Sequence, residues 1–143
     1  MRFVGLALII LISTACATTS GGVQTSGYRA PSVTIAAVAP VVCDAITRLA
    51  RAEGWELVTV APERGLVEAV SPTETTLGVG MRERWRFTMA DYDVAVTRLL
   101  EVQFEPGSGW QSESNVAAGY GYEREHQVLA SLGAQFDTTI PRY

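Results

Sequence analysis

The chain has 143 residues, a formal net charge of −4 and a hydrophobic fraction of 48%. All eleven of its basic residues are arginine, which excludes Schiff-base and general-base chemistry that depends on lysine. Because an acidic chain of this kind repels phosphate backbones, we expect no nucleic-acid partner.

The amino-terminal segment has the pattern of an export signal. Arg2 is followed by an uncharged apolar run over residues 3–12 and then by small residues that end at Ala15 and Cys16. A charged start, a short apolar segment and small residues before a cleavage point are typical of a secretory signal peptide. The run is shorter than the ~20 apolar residues that cross a bilayer, so we expect an exported protein with a signal peptide over residues 1–15.

The tetrad Ser13-Thr14-Ala15-Cys16 resembles the lipobox of bacterial lipoproteins. The resemblance implies cleavage after Ala15, lipid acylation of Cys16 and a membrane anchor that faces the periplasm. By the same resemblance, Ala17 in place of an aspartate favours the outer over the inner membrane. An ordinary secretory signal, cleaved after Ala15 or Ala17 with Cys16 unmodified, is the alternative.

The predicted mature chain consists of a tether and one domain. Removal of fifteen residues from the 143 leaves 128, which is enough for a single hydrophobic core. Residues 16–32 are small and polar without an apolar period, and a flexible linker of that length has a root-mean-square reach of roughly 20 Å. We therefore expect the lipidated cysteine and a tether over residues 16–32, and a single periplasmic domain over residues 33–143.

The first half of this domain predicts a helix followed by a hairpin. Residues 33–38 are either a first strand or an entry segment. Pro40 then begins a helical pattern that Gly54 ends, with apolar residues at Val42, Ala45, Ile46, Leu49 and Ala50. Residues 55–60 and 66–70 predict two hairpin strands around a Pro- and Gly-containing turn, and residues 71–80 predict a loop.

The second half predicts a longer hairpin and a second helix. Apolar and polar residues alternate over residues 81–89 and 93–105, on either side of a turn at residues 90–93. This pattern places Phe87 opposite Val96 on an apolar face. Residues 110–116 predict a further short strand. Residues 122–132 predict a helix whose inward stripe contains Glu125, Val128, Leu129 and Leu132.

These elements predict an α+β fold, an antiparallel sheet of four to five strands with two helices packed on one face. The Gly54-Trp55 pair after the first helix and the Gly65-to-Ala69 strand are similar to helix-grip-type domains of envelope lipoproteins, including those of the β-barrel assembly machinery. That similarity implies the same fold class and an accessory role in the envelope.

Arg82, Arg84 and Arg86 recur at period two and so share one face of their strand. Three guanidinium groups in a row could bind carboxylates or phosphates of envelope polymers. The neighbouring strand carries Glu101 opposite Arg82, however, so a self-paired, solvated sheet face is the favoured interpretation.

Two charges interrupt the apolar face of the same hairpin. Glu83 and Arg98 lie diagonally around Trp85, so they either pair at the edge of the core or line a small polar pocket against an aromatic wall, with Tyr92 nearby. Buried charges require partners, which favours the ion pair.

No catalytic or cofactor motif accompanies these residues. His126 is the single histidine, Cys43 fits a small core position beside Asp44, and Asp91 and Asp93 fit a tight turn. We therefore expect no cofactor, no metal and no enzymatic activity. The leading hypothesis is a lipid-anchored periplasmic domain that binds a protein or an envelope polymer; an enzymatic or small-ligand pocket at Glu83, Trp85 and Arg98 and a structural envelope spacer are the alternatives.

Overall fold

The computed structural model describes residues 30–114 and 121–137. The predicted signal peptide, Cys16 and the tether up to residue 29 lie outside the described residues, as do residues 115–120 and the tail from residue 138. Within the described ranges, no helix is long and apolar enough to cross a membrane.

The fold is α+β, as the sequence predicts, with two helices on one face of an open antiparallel sheet. The helices are α1 (Ala39–Ala52) and α2 (Glu123–Ala134). The described residues contain seven strands: β1 (Ser32–Thr34), β2 (Glu56–Ala61), β3 (Leu66–Val70), β4 (Glu74–Thr76), β5 (Val79–Ala90), β6 (Asp93–Gln103) and β7 (Gln111–Ser114). Their order is β1-β6-β5-β3-β2, and β4 and β7 extend the sheet beside β5 and β6.

Helix α1 forms where the apolar spacing predicts it. Pro40 occupies the first turn, and the chain leaves the helix through Gly54, whose φ of +75° is readily adopted only without a side chain. The inward stripe is buried and consists of Val42, Cys43, Ala45, Ile46, Leu49 and Ala50. Burial raises the pKa of the Cys43 thiol, and Asp44 and Glu63 raise it further, so Cys43 is an unreactive core residue.

The hairpin of β2 and β3 turns through a 3-10 segment, Pro62–Arg64, and then Gly65. Gly65 has a φ of +57°, and a Cβ on it would collide with the carbonyl oxygen of Met89. Its own carbonyl accepts the Met89 N–H at 2.8 Å. The glycine therefore permits β3 to approach β5 closely at this point.

Strands β5 and β6 pair in the predicted register, with Phe87 opposite Val96 and Arg82 opposite Glu101. Helices α1 and α2 cover the half of this hairpin nearest its turn, where Trp85, Phe87, Val94 and Val96 are buried. Towards the other end of the hairpin, the residues Met81, Leu100 and Val102 on the same face are only half-buried. The sheet thus extends beyond its helical cover, and charged residues lie at the boundary.

The loop prediction for residues 71–80 is wrong in its middle part, where β4 pairs with the start of β5. The two strands meet at Leu77 and Gly78, which have φ angles of 52° and 80°. Two positive φ angles are the signature of a two-residue hairpin turn, in which Asn or Gly usually occupies the first position. Leucine there gives no turn signal, so the sequence pattern did not reveal the strand. The short strand expected over residues 110–116 is confirmed as β7.

Candidate functional site

Strand register brings Glu83, Trp85 and Arg98 together on the helix-covered face. Trp85 and Arg98 are directly opposite each other on β5 and β6, and Glu83 precedes Trp85 by two residues on the same side. Helix α2 adds Glu125, the first member of its inward stripe. We call Glu83, Arg98 and Glu125 the inner triad.

The inner triad places one guanidinium between two carboxylates. Arg98 donates from Nη1 to Glu83 Oε1 at 2.7 Å and from Nε to Glu125 Oε1 at 3.2 Å. The indole Nε1 of Trp85 donates to the other oxygen of Glu83 at 3.1 Å. Two donors therefore fix the orientation of the Glu83 carboxylate, whose side chain is still 30% exposed.

The environment keeps Arg98 charged. Burial by itself would lower the pKa of Arg98, but the hydrogen bond to Glu83 and the negative charge of Glu125 outweigh it and raise the pKa. Glu125 is fully buried, at 0% exposure.

Two stacked tryptophans form the aromatic base of the site. The rings of Trp55 and Trp85 are parallel to within 15°, with their centroids 4.7 Å apart. The Arg98 guanidinium carbon lies 5.5 Å from the Trp85 ring centroid, a distance at which a cation is attracted to an aromatic face. Both indoles are buried, and Trp55 lines the adjacent pocket.

A pocket of about 540 Å³ opens beside the inner triad, where the hairpin extends past the helices. Small-ligand sites have volumes of roughly 300–1,000 Å³. Pro72, Met81 and Leu100 supply apolar lining, and Glu74 lies on the exposed side. The rim includes an ion pair between the two helices, Arg124 Nη2 to Glu53 Oε2 at 3.0 Å.

The arginine stripe lies on the opposite, helix-free face and is paired with glutamates, as the favoured interpretation predicts. Arg82 and Arg84 donate from Nε to the two oxygens of Glu101, each at 2.6 Å, and Arg86 donates to Glu68 at 2.9 Å. We call Arg82, Glu101 and Arg84 the outer triad.

Glu101 is 3% exposed. Burial alone would raise its pKa, but the hydrogen bonds from Arg84 and Arg82 outweigh burial and lower the pKa. The Trp110 ring covers Arg82, with 4.0 Å between the guanidinium carbon and the ring centroid. Arg82 is therefore fixed both by its ion pair with Glu101 and by the Trp110 ring.

The remaining candidates lie away from the pocket. Tyr92 is 59% exposed in the turn between β5 and β6, at the far end of that hairpin from Glu83, so its predicted proximity to Trp85 is wrong. His126 is half-buried on α2 and does not line the pocket.

Sequence reasoning missed the participation of Glu125 and Trp55. A signal for Glu125 was present, because it is a carboxylate on the apolar stripe of α2 and such a group requires a cationic partner. No sequence signal identified Arg98 as that partner, since 27 residues separate the two.

Within residues 30–114 and 121–137, no three His, Cys, Asp or Glu side chains are grouped so that they could hold a metal ion. The three arginines of the pocket lining form ion pairs instead, Arg98 with two carboxylates, Arg124 with Glu53, and Arg82 with Glu101. Such an arrangement can orient a ligand through charge and shape.

Comparison with known proteins gives no indication of a ligand. No protein-family model matches the chain, and no curated protein or solved structure matches it. The role of the site has to be inferred from its charges and its shape.

Proposed function

We propose that this protein is a lipid-anchored, non-enzymatic binding domain of the bacterial cell envelope, and that the helix-side pocket is its ligand site. The apolar run and the tetrad that ends at Cys16 support the anchor. Two or more acyl chains hold a protein stably on a bilayer, because each buried methylene contributes about 0.8 kcal/mol. The domain would then face the periplasm, from the outer membrane, on a short tether.

The pocket itself carries the binding proposal. It combines the ring of Trp55, the partly exposed carboxylate of Glu83 fixed by two donors, and apolar walls at Met81 and Leu100. Apolar walls with a few well-placed polar groups are characteristic of binding sites. The acid and base groups are engaged with each other, which favours recognition over proton transfer.

The outer face supports a structural role for the arginine stripe. Its three arginines share that face with three glutamates, Glu56, Glu68 and Glu101, and three of the resulting contacts are short ion pairs. A polymer carboxylate or phosphate would have to displace these glutamates. The stripe is therefore a weaker candidate for a ligand surface than the pocket.

Replacement of the two cysteines tests the anchor. Cys16→Ser should abolish incorporation of labelled palmitate and shift the protein from the membrane to the soluble periplasmic fraction. Cys43→Ala is the matched control, because Cys43 is buried in the core, and it should remain lipidated and membrane-bound. Continued membrane association of Cys16→Ser would contradict the anchor.

Site-specific photocrosslinking in native membranes tests the ligand site. A benzoylphenylalanine at Pro72 would lie in the pocket, and one at Thr97 would lie on the outer face, and both positions are exposed. We expect crosslinked products from position 72 and few from position 97. Equal crosslinking from both positions, or crosslinking from position 97 alone, would contradict the proposed site.

A further inference from the structure

We infer that the ligand of the pocket is an uncharged saccharide unit, bound through its hydroxyl groups. This inference rests on the proposed function and specifies the chemical class of its ligand. It depends on the balanced charge of the lining, on hydrogen-bonding capacity that the ion pairs leave over, and on apolar surface beside the charged groups.

The described residues that line the pocket carry no net charge. Six of these eleven residues are charged, three glutamates and three arginines: Glu53, Glu74, Glu83, Arg82, Arg98 and Arg124. Each arginine already donates to a carboxylate, at 2.6 Å for Arg82, 2.7 Å for Arg98 and 3.0 Å for Arg124. An anionic ligand would compete with these carboxylates, and a cationic ligand would approach the arginines. Because like charges brought together are unfavourable, the lining favours an uncharged ligand.

The ion pairs leave hydrogen-bonding capacity for such a ligand. A guanidinium has five N–H donors and a carboxylate has about four acceptor positions. Arg124 and Glu53 remain 42% and 37% exposed in their ion pair, and the Glu83 side chain remains 30% exposed. A hydroxyl group both donates and accepts, so hydroxyls on neighbouring carbons can bond to either member of a pair without separating it. Such bonds to ionised groups are about twice as strong as bonds between neutral groups.

The position of Glu83 is fixed by contacts within the protein. Trp85 and Arg98 donate to its carboxylate. Its backbone N–H donates to Ser71 Oγ at 2.8 Å, and the Ser71 N–H donates to the Glu83 carbonyl at 2.8 Å. Ser71 lines the pocket as well. A preorganised acceptor loses little conformational entropy on binding, which strengthens recognition of a ligand that offers mainly hydrogen bonds.

The apolar part of the lining matches the C–H surface of a sugar ring. Trp55, Pro72, Met81 and Leu100 border the pocket beside the charged groups. A pyranose ring has hydroxyls around its rim and C–H groups on its faces, so it contacts both kinds of surface together. A hydrocarbon chain would remove water from the ionised groups without replacing the hydrogen bonds, which is unfavourable. The lining therefore favours a saccharide over a lipid chain.

The density of charged groups also favours a saccharide over a polypeptide. A peptide backbone offers one N–H and one C=O per residue, whereas a sugar has a hydroxyl on nearly every ring carbon. Charged side chains supply more than half of the described lining residues. A ligand with closely spaced donors and acceptors satisfies more of these side chains in the same volume.

Chemical analysis of the product crosslinked at position 72 tests the inference. The full chain with benzoylphenylalanine in place of Pro72 is irradiated in native membranes. The purified product is divided for peptide mass spectrometry and for monosaccharide analysis after acid hydrolysis. We expect sugar in the product and no peptides from a second protein. The mass of the adduct distinguishes a free oligosaccharide from a unit of an envelope polymer.

Substitutions in the exposed ion pair at the rim test whether recognition is neutral. Glu53→Ala and Arg124→Ala, each combined with the crosslinker, should both lower the yield roughly threefold, because each removes hydrogen bonds to the ligand. A cationic ligand would lose yield with Glu53→Ala and gain it with Arg124→Ala, and an anionic ligand would do the reverse. Arg86→Ala is the matched control, because Arg86 is exposed on the opposite face, and it should leave the yield unchanged.

Peptides of a partner protein in the product, or a lipid without sugar, would overturn the inference. Changes of opposite sign for Glu53→Ala and Arg124→Ala would overturn it as well. In each of these cases crosslinking at position 72 still occurs, so the proposed ligand site stands. Absence of crosslinks from position 72 would contradict the proposed site itself, and the inference with it.

Discussion

The two faces of the β5–β6 hairpin carry charge clusters of inverse composition. The inner triad has one arginine between two glutamates, whereas the outer triad has two arginines around one glutamate. The inner cluster lies at the edge of the helical cover and beside a pocket. The outer cluster lies on the helix-free face, where further glutamates balance the arginine stripe. Similar residues therefore lie beside a pocket on one face and form a charge-balanced surface on the other.

Burial separates the two clusters further. Glu125 of the inner triad lies on the buried face of α2 and is 0% exposed. The arginine side chains of the outer triad are 19% and 24% exposed, so water can solvate them in place of Glu101. Loss of the central residue should therefore cost more stability in the inner triad than in the outer one.

Arg98→Met should produce the largest loss of stability. The substitution leaves two carboxylates without their shared cation, and breaking a buried ion pair in this way costs about 3–5 kcal/mol. Urea denaturation, monitored by tryptophan fluorescence, would measure this loss of stability. Addition of Glu125→Leu to Arg98→Met should restore a large part of the loss, because it removes the buried charge. A loss below about 1 kcal/mol for Arg98→Met would contradict the assigned role.

Glu101→Gln should cost less, about 1–3 kcal/mol, because each arginine keeps a solvated side and a neutral amide can still accept one hydrogen bond. The same denaturation experiment measures it at neutral pH. A loss equal to that of Arg98→Met would show that the outer triad is as tightly coupled to the core as the inner one.

The outer triad should also make stability depend on pH in the acid range. The pKa of Glu101 is lower in the folded protein than the ordinary value of 4.5, so the folded state holds this proton less tightly than the unfolded chain. The contribution is complete above about pH 4.5 and is lost as the pH falls through the folded pKa. Unfolding free energies measured below pH 4.5 should fall more steeply for the wild type than for Glu101→Gln. Parallel curves would contradict this assignment.

Arg86→Ala should have the smallest effect. Its side chain is 55% exposed, and exposed ion pairs contribute about 0–1 kcal/mol. The free energy of unfolding should fall by no more than about 0.5 kcal/mol. A larger loss of stability would mean that Arg86 is energetically coupled to the outer triad.

The fold class and the hairpin register could be predicted from the sequence because the alternation of apolar residues determines which face of each strand is buried. A slip of one residue between β5 and β6 would place Phe87 and Val96 on opposite faces of the sheet, so that one of them would leave the core. The same alternation made Glu83 and Arg98 visible as charges on the apolar face. It also assigned the arginine stripe to the other face, where Glu101 is its partner.

What the sequence did not predict depends on contacts between distant elements. Glu125 reaches Arg98 only because α2 packs across β6, and the hydrophobic spacing of α2 does not specify that crossing. The Trp55–Trp85 stack requires β2, β3 and β5 to lie side by side. Strand β4 was missed because Leu77 occupies a turn position that usually holds Asn or Gly.

The three tryptophans provide the most direct test that the pocket face binds the ligand. Trp55 lines the pocket and stacks on Trp85, and Trp110 covers Arg82 of the outer triad. Nuclear magnetic resonance of the three indole N–H groups would follow a titration of the labelled protein with a detergent extract of native membranes. We predict that the Trp85 signal shifts most, because its N–H is bonded to Glu83, that Trp55 follows, and that Trp110 stays unchanged. A shift confined to Trp110 would contradict the account and assign binding to the arginine stripe.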